Sequence, residues 1–115
     1  MLDIKTLRGF YGPDLYAGFS QMTSSFDGQI KKDVDRTGFK GTPEELEAHK
    51  QVVTRVLRAY ANLDAECGYG QGINFIVEML KHYIPQEEKI FWCLTKIMVD
   101  YEWRGFFLPG MVKAT

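Results

Sequence analysis

The chain has 115 residues, 45% of them hydrophobic and 25% charged, and 14 Lys and Arg against 15 Asp and Glu leave a formal net charge of −1. This mix is too apolar for a disordered chain, and too evenly charged for a broad electrostatic footprint on nucleic acid or an anionic membrane. No apolar run is long enough for a membrane span, the first residues lack the apolar core of a signal peptide, and Cys67 and Cys93 are too few for a disulfide scaffold. The expectation is a cytoplasmic domain, or a piece of one, without membrane insertion.

In chain order the elements read as helices, and no stretch alternates apolar and polar residues long enough to predict a strand. Pro13 to Met22 can form a short helix, and Phe26-Asp27 can start another that runs through Ile30 and Val34 toward Arg36. The best-marked start is Thr42-Pro43-Glu44-Glu45, where Thr42 can cap, Pro43 suits the first helical position and Glu45 can close a capping box. From there Leu46, His49, Val53, Val56, Leu57 and Tyr60 trace one face, which predicts a helix from about 43 to 62. Lys50, Arg55 and Arg58 fall mostly off that face and read as solvated.

Asn62 to Tyr69 breaks the pattern, with Gly68 as the expected left-handed or close-approach position. The next helix is predicted from near Gln71 to just before Pro85. Its main stripe is Ile73, Ile76, Val77, Leu80 and Ile84, and Phe75, Met79 and Tyr83 widen it until little polar face remains. Such a helix is expected at the centre of a bundle. A third, roughly 86 to 101, carries Ile90, Phe91, Leu94, Ile97, Met98 and Tyr101, with Trp92 and Cys93 on a further side. An aromatic tail punctuated by Gly and Pro follows, from Trp103 to Met111. These broad apolar faces predict packing partners beyond Thr115, and self-association of the chain on its own.

Site chemistry is sparse. His49, His82, Cys67 and Cys93 show no metal-ligand spacing, and buried cysteines with partly exposed histidines account for them better. No Ser sits in a G-x-S-x-G setting and no Cys beside a His. Gly68-Tyr69-Gly70-Gln71-Gly72 follows a helix rather than a strand and has no Lys after it, which argues against a phosphate loop. Two segments remain. Ile30 to Gly38 reads most simply as an amphipathic turn with Ile30 and Val34 inward and a local Asp33–Arg36 pair. Gly68 to Phe75 reads most simply as a tight loop bringing two helices close, with Gln71 at a helix start.

Taken together, the segments say more. Ile30-x-x-Asp33-x-x-Arg36-Thr37, Arg55-Val56-Leu57-x-Ala59-Tyr60 and Gly68-Tyr69-x-Gln71-Gly72-x-Asn74-Phe75, in that order, resemble the TBC domain of Rab GTPase-activating proteins. The likeness continues through Phe91-Trp92-x-Leu94 and Asp100-Tyr101 to Phe106-Phe107-x-Pro109-Gly110. The chain departs from the family at Gly70, where a Cys is usual, and in Leu7 to Gly12, where the family's opening Arg and Trp are not recognisable.

The resemblance implies an all-α fold, the helical N-terminal subdomain of a TBC domain spanning residues 1–115, with the C-terminal subdomain absent. It implies that Arg36 and Gln71 are catalytic fingers supplied in trans to a Rab-family small GTPase. A guanidinium fork meets phosphoryl oxygens, and a side-chain amide can accept from the attacking water while donating to phosphate. By the same resemblance Asp33 orients Arg36, Tyr69 braces the glutamine loop and Asn74 supports the helix start. Ile30, Thr37 and Gly72 complete the motifs. The chain would hold no cofactor, because GTP and Mg²⁺ belong to the GTPase, and would have no hydrolase activity of its own. It would reach endomembranes through its partner. A non-catalytic module that binds a GTPase or scaffold is the alternative, and a helical interaction domain without a GTPase partner is the plainest one.

Overall fold

A 21-residue helix, Pro43–Leu63, organises the fold, and its start is closed by two reciprocal hydrogen bonds. Thr42 Oγ1 accepts the Glu45 N–H at 3.2 Å while Glu45 Oε1 accepts the Thr42 N–H at 2.9 Å, with Pro43 at the first position. The structure is a computed structural model that describes residues 14–64 and 67–100. Its helices are α1 (Leu15–Gln21), α2 (Asp27–Asp35), α3 (Pro43–Leu63), α4 (Ile73–Tyr83) and α5 (Glu87–Asp100), and no strand occurs among the described residues. The chain is all-α there. Pro13, Tyr101, the tail from Trp103 to Met111 and the opening Leu7 to Gly12 lie outside the described residues.

α3 touches each of the other four helices, so its apolar face becomes the axis of the core. Val53, Val56, Leu57 and Tyr60 are buried on the stripe that the spacing predicts, and Ala59 and Ala61 add small buried side chains beside it. Ile30 of α2, Val77 of α4 and Phe91, Leu94 and Met98 of α5 close over them. Trp92 is buried too and donates its indole N–H to Glu88 Oε2 at 2.9 Å, so α5 is covered over a wide arc.

Three expectations need correcting. α4 is not buried all round: Phe75, Met79 and Tyr83 are 67%, 51% and 77% exposed. They recur every four residues on the side away from Ile73 and Val77, which are buried. Arg55 and Arg58 are half-buried and paired rather than simply solvated. Arg55 forks onto Glu87 with both bonds at 2.7 Å, and Arg58 forks onto Asp27 at 3.0 and 3.2 Å. Both sit at the margins of the α3 stripe, where a long side chain can bury its stem and still reach a carboxylate on α5 or α2. His49, expected to be partly exposed, is buried.

Glu87 also accepts the Tyr16 hydroxyl, so α1, α3 and α5 meet at one carboxylate. Burial raises its pKa, but the Arg55 fork and the Tyr16 hydroxyl outweigh burial and hold it below the ordinary 4.5. A folded pKa below the unfolded one means that this stabilisation is whole above about 4.5 and is lost as pH falls through the folded value. Arg55→Met should therefore lower unfolding free energy at pH 7 by about 1 kcal/mol, the pair being partly open to water. In urea titrations the deficit should shrink once the pH drops well below 4.5, because protonated Glu87 no longer needs the guanidinium.

Candidate functional site

α2 presents Ile30, Asp33 and Val34 on its buried face, so a carboxylate is carried inward between two aliphatic residues. A buried carboxylate requires donors. Asp33 has two: Gln29 Nε2 reaches Oδ1 at 3.3 Å, and the Tyr69 hydroxyl reaches Oδ2 at 2.5 Å. The local Asp33–Arg36 ion pair is not formed. Arg36 lies one residue past the end of α2, its N–H bonded to the Asp33 and Val34 carbonyls, and the residue is exposed. Asp27, Asp35 and Glu87 take up Arg58, Lys31 with Lys50, and Arg55, whereas no ion pair among the described residues involves Arg36.

The Tyr69 hydroxyl also faces Asn74 Oδ1 at 3.1 Å, and that oxygen accepts the Gly72 N–H at 3.1 Å. Burial, with the Asp33 hydrogen bond next, pushes the Tyr69 pKa up, so the phenol stays a proton donor. Gln71 stands exposed in the turn that Asn74 ties back, two residues before α4 rather than at its start. Gly72, which caps α4, has φ 111°, and Gly68 has φ 62°; Gly70 does not share this left-handed backbone. At Gly68 a Cβ would also lie 2.3 Å from the Phe26 ring at the head of α2. The loop needs glycine there for both reasons.

Arg36 and Gln71 line one small depression of about 50 Å³ together with Asp33, Asn74, Phe75 and Glu78. Of the residues singled out in the sequence, Ile30 is in the core and Asp33, Tyr69, Asn74 and Gly72 form the connected scaffold beneath the depression. Thr37 borders it differently: its hydroxyl donates to Glu78 Oε1 and accepts the Phe39 N–H at 3.2 Å.

Sequence reasoning missed Glu78 and the pairing of His49 with it. The His49 Nε2 is 2.9 Å from Glu78 Oε1, and its ring stacks on Phe39 at 4.3 Å between centroids. One signal was available, since Glu78 is the one acidic residue in α4. Among the described residues no three His, Cys, Asp or Glu side chains converge as metal ligands, and no helix is long and apolar enough to cross a membrane.

Residues 13–114 match the Rab-GTPase-TBC domain. The chain belongs to the RabGAP-TBC family. It is 36% identical over 105 residues to the human ecotropic viral integration site 5 protein homolog, covering 87% of this chain and 12% of that protein. It is 34% identical over 97 residues to the GTPase-activating protein GYP5 of Eremothecium gossypii, covering 84% and 11%. Against the Rab GTPase-activating protein eat-17 of Caenorhabditis elegans the identity is 33% over 103 residues, covering 85% and 11%. The chain thus spans about a tenth of the length of these curated relatives. No solved structure matches it significantly.

The scaffold can be tested without a partner. Tyr69→Phe removes one of the two donors of a buried carboxylate and should lower unfolding free energy by about 1–3 kcal/mol. Gly68→Ala should do at least as much, because the new methyl meets the Phe26 ring on a backbone that side chains avoid. Equilibrium urea unfolding followed by far-ultraviolet circular dichroism measures both.

Proposed function

We propose that this chain accelerates GTP hydrolysis by a Rab-family GTPase, offering Arg36 and Gln71 in trans to the partner's nucleotide. What supports the reading is a pair of exposed side chains, 35 residues apart in sequence, that share one depression over an otherwise hydrogen-bonded scaffold. Hydrolysis needs charge stabilised on the transferring phosphoryl group and an oriented water. An unpaired guanidinium suits the first need, and an amide that both donates and accepts suits the second. GTP and Mg²⁺ come with the GTPase, so the chain contributes positioned side chains and no cofactor. It would act from the cytoplasm on GTPases that mark trafficking membranes. The exposed apolar residues of α4 also support the expectation that the chain self-associates when isolated, which sedimentation velocity checks.

A panel of Rab proteins loaded with GTP, with and without the chain, tests the activity. On a responsive Rab, Arg36→Ala should cut stimulated hydrolysis by about 10³-fold or more, and Arg36→Lys should not restore it. Folding should be unaffected, since the Arg36 side chain is exposed and unpaired. Gln71→Ala should abolish stimulation as well. A Rab whose own water-orienting Gln is changed to Leu should still respond to the unaltered chain, because Gln71 takes over that work. Full stimulation by Arg36→Lys, or an unresponsive Leu-substituted Rab together with an active Gln71→Ala, would remove the respective residue from its role. A chain that binds Rab without stimulating any would be a binding module.

A further inference from the structure

Glu78 meets the site from two sides. It lines the depression with Arg36 and Gln71, and its Oε1 is held by the Thr37 hydroxyl and by His49 Nε2 at 2.9 Å. A carboxylate only accepts, so Nε2 carries a proton toward it. His49 Nδ1 is buried without a partner, which leaves the polar contacts of the ring running through Nε2 to Glu78 and, at 3.4 Å, to Thr37. Phe39 stacks flat on that ring, 12° from parallel, while its N–H returns to Thr37 Oγ1. Residues 37–39 are thereby wrapped onto α3 and α4.

The position of this clamp gives it meaning. Arg36 follows the last helical residue of α2, where a chain end frays unless something downstream holds it. Asp33 anchors the upstream side through Tyr69, and Thr37 anchors the downstream side through Glu78. Both anchors lead to the segment bearing Gln71: Tyr69 precedes it in the same loop, and Glu78 lies on the helix that follows. We propose that Glu78, acting through Thr37 and supported by His49, is a positioning residue that fixes where the arginine stands relative to the glutamine. The proposal rests on the reading of Arg36 and Gln71 as the groups that act on the GTPase.

Two readouts on Glu78→Ala test it. On a responsive Rab, kcat should fall about 10- to 100-fold while KM changes less than about threefold, because a displaced finger loses the transition state rather than the encounter. By amide hydrogen exchange, protection of Phe39 should fall about tenfold or more while Val56 and Leu57 in the core keep theirs. Glu78→Gln should return both readouts to within about threefold, its amide oxygen accepting from the same two donors. Should Glu78→Ala not fold, Thr37→Val removes the hydroxyl alone and carries the same expectations, with Thr37→Ser restoring them. Unchanged kcat, or a rise in KM at unchanged kcat, overturns the proposal. Unchanged exchange at Phe39 overturns it even if no Rab responds to the unaltered chain, a result that by itself would count only against the GTPase reading.

Discussion

The Tyr69 hydroxyl against Asp33 is the contact on which the rest of the site depends. α2 cannot dock through Ile30 and Val34 without carrying Asp33 into the core between them, and a carboxylate left there without donors would cost several kcal/mol, on the order of the whole domain's stability. Gln29 supplies one donor from α2 itself and the Gly68–Asn74 loop supplies the other, so docking of α2 and closure of the loop support each other. The loop can deliver the phenol because Gly68 allows both a left-handed backbone and contact with the Phe26 ring. The same hydroxyl then reaches Asn74, whose oxygen holds the Gly72 N–H in the turn before α4. A single side chain couples the end of one helix to the beginning of another, far apart in sequence.

α3 makes that coupling rigid. Its capped start and its contacts with all four other helices give the core one axis. The half-buried forks from Arg55 to Glu87 and from Arg58 to Asp27 then fix α5 and α2 at its margins. Such pairs add modest stability individually, yet each is directional and selects one docking of its helix. Asn62 does similar work one turn beyond Arg58, donating to the Phe19 and Met22 carbonyls at the end of α1. The result is a scaffold largely hydrogen-bonded within itself, with Arg36 and Gln71 left exposed upon it.

Helix existence was legible because it rests on local physics: the Thr42–Glu45 box, the stripe from Val53 to Tyr60 and the stop before Pro85 are all written within a few residues. The inward turn of Ile30 and Val34 and the left-handed Gly68 were legible for the same reason. What could not be read were choices made between elements. Spacing alone marked Arg36 as Asp33's partner, whereas burial gave that carboxylate to Tyr69. Hydropathy alone buried Phe75, Met79 and Tyr83, although periodicity reports how apolar a face is and not whether a neighbour covers it. Arg55 and Arg58 looked solvated because their carboxylates lie on other helices. His49 was read onto the right face of α3, but its partner Glu78 was invisible until α3 and α4 were brought together. Arg36 and Gln71 stood out only jointly, since neither short motif has a demanding meaning alone, and the structure brings both to one depression.

The freedom of Arg36 is itself a consequence of how its neighbours are occupied. Three carboxylates stand close to it in sequence or across the depression, and any one could have captured a guanidinium. Asp33 is satisfied by Gln29 and Tyr69. Asp35, two residues from Asp33 on the same helix, is taken by Lys31 at 2.9 Å and approached by Lys50 at 3.5 Å, and the Lys31 hydrogen bond is the main reason its pKa lies below the ordinary value. Glu78 is taken by Thr37 and His49. Each acceptor that might have folded the arginine back onto its own chain has donors supplied by other residues. An internal salt bridge would have to be broken before the guanidinium could meet an external anion, and its loss would be subtracted from whatever that encounter gained. Satisfying the carboxylates elsewhere removes that penalty in advance, and leaves a fixed backbone with an unengaged cation at its edge.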